Sequence, residues 1–452
     1  MVMGSIPERV DIAVIGGGVG GYVAAIRAAQ LGKSVALIEK NKLGGHCLNY
    51  ACIPSKTMIH IADTLYTANN SEKFGITGKV GIDGKKLNEW RMSVSKKLED
   101  GVGFLCKSNG VETFKAEATF LSSNKLQLTD GVEIEFGKAI IATGSEPAEL
   151  SGFGFSDSVI DYKKALMLDY VPKSIAIEGG GYVAVELGTM FAKLGSKVSI
   201  IARSELLSKF DKDAIAIIRK RMLALGVSIY ANSAPSSYAD GKLVLEDGKQ
   251  IEAELLVVAI GLKPFTAGLG LENTKVEIDG RGFIKVDASL RTSDPDIFAV
   301  GDVIGEPMLA HKAIRQGVVA GEAASGVRSE FTNQVIPAVI FSDPEIAIAG
   351  KMEGDGVQVK KFPLSALGRA IALDATEGFA KIAYDSRGIV VGMEVVSDEA
   401  NAMISEAALA IEMGATLEDI ADTIHPHPTY SESVQEAAEA ALGRGIHFFY
   451  GK

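Results

Sequence analysis

Apolar runs of strand length, each closed by glycine, alternate with helix-length stretches in the first half of the chain. Residues 11–39 (DIAVIGGGVGGYVAAIRAAQLGKSVALIE) read as an apolar run, a glycine turn, a helical stretch and a second apolar run. Displaced by 163 positions, residues 174–202 (SIAIEGGGYVAVELGTMFAKLGSKVSIIA) repeat the pattern without a gap. Gly16, Gly18, Leu31, Gly32 and Val35 fall on Gly179, Gly181, Leu194, Gly195 and Val198. Each copy predicts a βαβ unit with parallel strands and a right-handed crossover. Two copies predict two dinucleotide-binding domains, not a solenoid. Residues 251–261 (IEAELLVVAIG) and 297–302 (IFAVGD) predict further buried strands. From about Gln334 the pattern changes. Strand-like runs (VIPAVIF, FAKIAY, GIVVGMEVV) precede alanine-rich helical stretches (ANAMISEAALAIEM, SESVQEAAEAALG), which predicts a separate α+β domain.

Composition narrows the function. The 452 residues suit about three domains at roughly 150 residues each. A formal net charge of −11 leaves no basic footprint for nucleic acid. Three cysteines, Cys47, Cys52 and Cys106, do not make a secreted disulfide scaffold, and no Cys/His group has zinc-ligand spacing. The longest uncharged apolar stretch, Ile12 to Ile26, holds five glycines and is too short for a membrane span. No signal peptide is visible at the N-terminus, so the expectation is a soluble, cytoplasmic protein without membrane or nucleic-acid partners.

The fifty glycines gather in short loops, where backbone comes close to a ligand. Gly16-x-Gly18-x-x-Gly21 follows a strand and opens a helix. The first glycine allows the tight turn, the second lets amides reach a pyrophosphate, and the third lets helix pack on strand. Glu39, at the end of the second strand, stands where an acid bonds a ribose 2′-hydroxyl. Cys47 and Cys52, in GGHCLNYACIPSK, are five residues apart. Five residues of ideal helix rise about 7.5 Å, too far for a disulfide. The pair can bridge only where the helix is distorted or just beginning, and such a bridge is of the reducible sort. Two buried free thiols are the alternative, and the spacing leaves both open. Cys106, in an amphipathic stretch, is read as a packing residue.

These motifs, GGGVGGYVAAIRAAQLG followed by GGHCLNYACIPSK, strongly resemble the flavin-dependent disulfide reductases of the glutathione reductase and dihydrolipoamide dehydrogenase family. The resemblance covers essentially the whole chain. HPHPTYSESVQEAA from His425 and PMLAHKA from Pro307 look like the dihydrolipoamide dehydrogenase branch. It implies an α/β fold with two Rossmann-like domains and a C-terminal α+β dimerisation domain. FAD would occupy residues 1–145 and 266–335, NAD(P) residues 146–265, and a homodimer interface residues 336–452. Around the flavin it implies Gly16, Gly18, Gly21, Glu39, Lys40, Gly45, His46, Lys56, Thr143, Gly144, Asp302 and Ala310. Around the nicotinamide it implies Gly179, Gly181, Tyr182, Ala184, Glu186 and Gly261, with Lys263 as a weaker candidate. Lys56 and Glu186 match a family ion pair, and Tyr182 a gate. Cys47 would be the interchange thiol, Cys52 the thiol against the flavin, His427 a base supplied by the partner chain, and Glu432 its orienter. His46 replaces a family Thr that bonds the flavin pyrophosphate; protonated, it would take over that bond, or it would tune the thiol.

The two ends of the chain disagree about the nicotinamide. Glu39 maps onto position 202, which is Ala, and Arg203 follows. An acid there suits NAD; a cation suits the 2′-phosphate of NADP. Ala184 in place of the third glycine, and Lys209, resemble the NADPH-using glutathione reductase branch. The sequence therefore predicts NADP preference on a dihydrolipoamide dehydrogenase-like body, although a solvated Arg203 and bound NAD is the alternative. The substrate is expected to be a lipoyl group or another small disulfide, with a 2-oxoacid dehydrogenase complex or a glycine-cleavage system as a partner. NADPH-dependent reduction of a different disulfide is the competing enzyme reading. A scaffold subunit without chemistry is the non-enzymatic one, and intact Cys47, Cys52 and His427 argue against it. Glu178, just before the second loop, is unusual for the family, and its direction is not given by sequence.

Overall fold

The computed structural model describes residues 8–450; residues 1–7 and 451–452, the outer ends of the first and last expected domains, lie outside it. The described chain forms two compact units. One comprises residues up to 171 with 260–332, the other 172–259 with 333 onward. Residues 146–171 thus cluster with the first unit.

The first unit is built on a seven-stranded sheet. Its order is Val111–Phe114, Val35–Ile38, Glu8–Ile15, Glu133–Ile141, Lys125–Leu128, Ala118–Ser122, with Ile297–Ala299 also paired to Glu133–Ile141. The strands around Glu8–Ile15 are parallel, with Val14 beside Leu37 on one side and Ile140 on the other. The Lys125–Leu128 and Ala118–Ser122 strands return antiparallel. Val35–Ile38 is buried throughout, as a parallel strand covered on both faces must be. Helix Val19–Gln30 covers one face and packs on helix Ala310–Ala324. Two glycines permit that approach. A Cβ at Gly317 would lie 2.4 Å from the Gly20 carbonyl oxygen, and one at Gly321 2.7 Å from that of Ala24. Arg27 bonds Glu322 across the same seam at 2.7 and 2.9 Å.

The second unit holds three sheets. Four parallel strands run in the order Ser228–Ala231, Lys197–Ala202, Ser174–Glu178, Leu255–Val258. A three-stranded antiparallel sheet, Pro235–Ala239, Lys242–Leu245 and Gln250–Glu252, follows. The duplication seen in sequence is repeated in hydrogen bonds. Gly16 N donates to Ile38 O and Ala142 N to Ile15 O; Gly179 N donates to Ile201 O and Ala259 N to Glu178 O, all at 2.8 Å. The C-terminal part is a five-stranded antiparallel sheet, Ala338–Ile340, Glu345–Gly350, Val390–Ser397, Phe379–Tyr384, Gln358–Pro363. Its inner face (Ala347, Phe362, Ile382, Met393, Val395) shares a core with helices Ala400–Met413 and Glu432–Ala441 through Ile404, Ala407, Val434 and Ala437. Among the described residues no helix is long and apolar enough to cross a membrane.

Candidate active site

The first glycine loop is shaped by contacts that only glycine tolerates. Gly16 has φ +100°, and a Cβ there would sit 2.4 Å from the Ala142 carbonyl oxygen. A Cβ on Gly21 would lie 1.8 Å from the Gly16 oxygen, so the third glycine is the helix-on-strand contact that the spacing predicts. Gly18 differs: a Cβ there would meet nothing within 4 Å. The middle of the loop, at the start of helix Val19–Gln30, therefore opens onto free space, as a pyrophosphate cradle requires. Glu39 lies over the loop, its two oxygens accepting from Gly17 N and Asn41 N, each at 2.7 Å. Lys40 reaches Glu117 at 3.1 Å and stands 4.0 Å over the Phe265 ring. Gly21→Ala is expected to cost about 3 kcal/mol, the upper end for overpacking. It should lose FAD during purification, read as the ratio of visible to ultraviolet absorbance; a fully yellow variant would overturn the contact argument.

The cysteine segment rests on this loop. Gly44 N donates to Gly17 O at 2.8 Å, and Gly45 (φ +55°) brings its backbone so close that a Cβ would be 2.6 Å from Gly18 Cα. Helix Gly45–Asn49 begins there and stops at once. Tyr50 (φ −133°) and Ala51 (φ −135°, ψ −90°) leave helical geometry, and helix Cys52–Asn69 starts anew. This is the broken helix that a Cys47–Cys52 bridge needs. Asn49, which sequence reasoning missed, pins the break by donating to Leu43 O at 2.9 Å and Gly45 O at 3.0 Å. Both cysteines are thiols here. A hydrogen bond to Cys52, then burial, pushes the Cys47 thiol up, while the Lys56 ammonium pulls it down. Cys106 is fully buried, and burial raises its thiol to about 11, which suits packing.

His46 lies in the short helix Gly45–Asn49, beside Cys47. Burial, then the neighbouring Lys163 charge, pushes the imidazole down to about 3, so it is neutral at pH 7. Its Nε2 meets the Tyr162 hydroxyl, and the two rings stack at 5.5 Å. Asp302 is half-buried near the thiols, and its charge acts on Cys47. Burial raises its carboxyl; the Ser145 hydroxyl, donating at 2.7 Å, and Lys312 oppose the shift. Lys312 itself donates to Gly305 O at 2.6 Å. Thr143 bonds Phe265 O at 2.7 Å, and Gly144 (φ +73°) receives Phe265 N at 3.0 Å. Ala310 opens its helix in the same unit.

The second loop repeats the first. Gly179 has φ +145° with a Cβ 2.3 Å from Ala259 O, and Gly181 opens onto free space. Ala184 is fully buried and Tyr182 is exposed at the head of helix Tyr182–Leu194. Leu207 N donates to Gly180 O at 2.7 Å, folding the segment after Ala202 back over the loop. Arg203 and Lys209 are exposed on that segment, while Ala202 is buried. Glu205, the acid beside them, is taken by Arg219 at 3.2 Å. Glu186 is buried and accepts Phe341 N at 3.0 Å; Lys56 belongs to the other unit. Gly261 (φ +128°) and Lys263 fall in the first unit, where Lys263 pairs with Glu146 at 3.2 Å.

In the C-terminal part, His427 is 77% exposed and its Nδ1 lies 2.7 Å from Glu432 Oε1. Glu432 Oε2 accepts Thr429 N at 2.8 Å, which fixes the carboxylate. His425, by contrast, is buried and saturated by Glu406 and Thr423 O, both at 2.9 Å.

Two thiols able to close a ring, set on one dinucleotide loop in a chain that repeats the loop, define a disulfide oxidoreductase working between two dinucleotides. Comparison with known proteins agrees. Residues 10–317 match the pyridine nucleotide-disulphide oxidoreductase family and residues 336–438 its dimerisation domain. The chain is 46% identical to dihydrolipoyl dehydrogenase of Geobacillus stearothermophilus and 42% to that of Haloferax volcanii, covering 99% of each chain in both cases. LpdA of Mycobacterium tuberculosis superposes with a TM-score of 0.89 at 26% identity, over 96% of this chain and 99% of that one. This chain belongs to the pyridine nucleotide-disulphide oxidoreductase family. FAD and a pyridine nucleotide are accordingly its cofactors, and the open cradle at Gly18 and half-buried Asp302 fit the first of them.

Proposed function

We propose that this enzyme is a homodimeric, cytoplasmic dihydrolipoyl dehydrogenase that prefers NADP⁺ to NAD⁺. The observation that carries the lipoyl reading is the His427–Glu432 pair: an exposed imidazole with Nδ1 fixed on a carboxylate, leaving Nε2 to meet a substrate thiol. Relatives named dihydrolipoyl dehydrogenase, matching over full length, support it. In this reading His427 of a second copy takes the proton of one lipoyl thiol. The resulting thiolate attacks Cys47 Sγ of the Cys47–Cys52 disulfide, and Cys52 leaves as a thiolate. The second lipoyl thiol then displaces Cys47 from the mixed disulfide. The lipoyl ring closes, and both enzyme cysteines are reduced. Bound FAD supplies the two-electron path from these thiols to the nicotinamide. Glu432 holds the imidazole tautomer throughout. Partnership with a 2-oxoacid dehydrogenase complex follows from a lipoyl substrate.

NADP preference rests on Ala202 where an acid would bond the 2′-hydroxyl, and on Arg203 exposed beside it. Arg203→Ala is expected to weaken NADP⁺ use at least tenfold, about 1.4 kcal/mol, with little effect on NAD⁺. The test is dihydrolipoamide oxidation with NAD⁺ and NADP⁺ side by side. Turnover with NAD⁺ alone overturns the preference; turnover with neither overturns the lipoyl reading. The same Ala202–Arg203 pair favours, as a second reading, NADPH-dependent reduction of another small disulfide, which reverses the direction with the same residues.

A further inference from the structure

The nicotinamide loop carries a carboxyl that the reaction does not use. Glu178 ends the strand Ser174–Glu178, directly before Gly179, and is 1% exposed. Its register neighbours are Ile201 and Val258, so it stands one strand from Ala202 and Arg203, at the carboxyl edge where the nucleotide binds. Its Oε2 is buried without a hydrogen-bond partner. A buried carboxylate with an oxygen left bare is costly unless something offsets its charge. The charged groups that act on it are Arg203, which attracts the ionised form, and Glu246, which repels it. Burial outweighs both, and the carboxyl titrates near 7.

We propose that Glu178 is a specificity-determining residue that binds a proton when a 2′-phosphorylated dinucleotide occupies the second glycine loop, and stays as it is when the unphosphorylated dinucleotide binds. The inference rests on the NADP reading of Arg203. The reasoning is one of charge. A 2′-phosphate dianion on Arg203 cancels the cation that favours ionised Glu178 and leaves a net negative neighbour. Glu178 then takes up one proton from solvent. A 2′-hydroxyl brings no charge, so NAD⁺ leaves the proton count unchanged. Above about pH 7, where the 2′-phosphate is already ionised, the residue thus makes affinity for the phosphorylated cofactor fall with rising pH, where a lone Arg site would hold it level.

The test is calorimetric titration of the oxidised holoenzyme with NADP⁺ and with NAD⁺ at pH 8, in two buffers of different ionisation enthalpy. At that pH the 2′-phosphate, whose second pKa is about 6, is already a dianion and exchanges no proton. The wild-type protein is expected to take up protons with NADP⁺ and none with NAD⁺. Glu178→Gln should abolish the uptake. It should also tighten NADP⁺ about tenfold at pH 8, because one unit above its pKa only about a tenth of the wild-type carboxyl is in the competent form, and little at pH 6. NADP⁺ binding without proton uptake in the wild type, or uptake that persists in Glu178→Gln, overturns the role of Glu178 and leaves the Arg203 reading standing. Failure of the wild type to bind NADP⁺ while NAD⁺ binds overturns both. The wild-type proton count needs no variant, so a Gln protein that does not fold leaves the first arm decisive.

Discussion

Cys47→Ser is expected to abolish disulfide turnover, with a loss of roughly 10⁴-fold or more, the scale on which a covalent nucleophile is removed. The reason is geometric. The break at Tyr50–Ala51 places the two thiols in hydrogen-bond contact, and a hydroxyl at position 47 can neither close the ring nor hold the mixed disulfide. Electron flow from reduced nicotinamide to an artificial acceptor such as ferricyanide needs only the two dinucleotide sites and should survive. Stopped-flow absorbance separates the two half-reactions. A variant that keeps full dihydrolipoamide turnover would sink the thiol exchange.

His427→Gln is the second large effect. Loss of a general base typically costs about 10²–10⁴ in rate, and kcat/KM for dihydrolipoamide should fall in that range while ferricyanide reduction is untouched. Glu432→Gln should fall less, because it leaves the base in place but loosens its tautomer and orientation. Mixing supplies a sharper test of the partner-supplied base. Each variant alone is expected to keep about 1% or less of wild-type turnover of dihydrolipoamide. If the base comes from the second copy of a symmetric dimer, a Cys47→Ser subunit paired with a His427→Gln subunit regains one complete site, and a statistical mixture recovers roughly a quarter of wild-type activity. No recovery after subunit exchange would place the base in the same chain as the thiols.

Much of this was legible before any coordinates. The two glycine loops could be aligned because turn, helix and strand lengths are fixed by backbone geometry, and the repeated hydrogen bonds of Gly16 and Gly179 are the physical form of that offset. The cysteine spacing left open whether the pair bridges across a distorted helix, and the helix breaks at Tyr50–Ala51. The final helices appeared as alanine-rich stretches and form at Ala400–Met413 and Glu432–Ala441. What sequence could not give were partners distant along the chain. Tyr162 lies 116 residues from His46, and Ser145 lies 157 from Asp302; no local period encodes either. Neutral His46 follows from burial, which the Thr-to-His change does not reveal. Glu178 was illegible for another reason. Its strand is covered on both faces, so the alternation that would tell inside from outside is absent.

The glycine seam between helices Val19–Gln30 and Ala310–Ala324 carries a consequence for synthesis. The helix that supports the flavin loop finds its packing partner, through Arg27 and Glu322, only 295 residues later. A growing chain therefore exposes that helix face until the ribosome has passed Ala324. Helix Tyr182–Leu194 of the second glycine loop waits as well, since its Lys193 meets Asp343 at 2.6 Å. Local contacts close faster than distant ones. Both halves of the duplication thus have their parallel strands early and their covering partners late, at Ala310–Ala324 for the first loop's helix and at Asp343 for the second's.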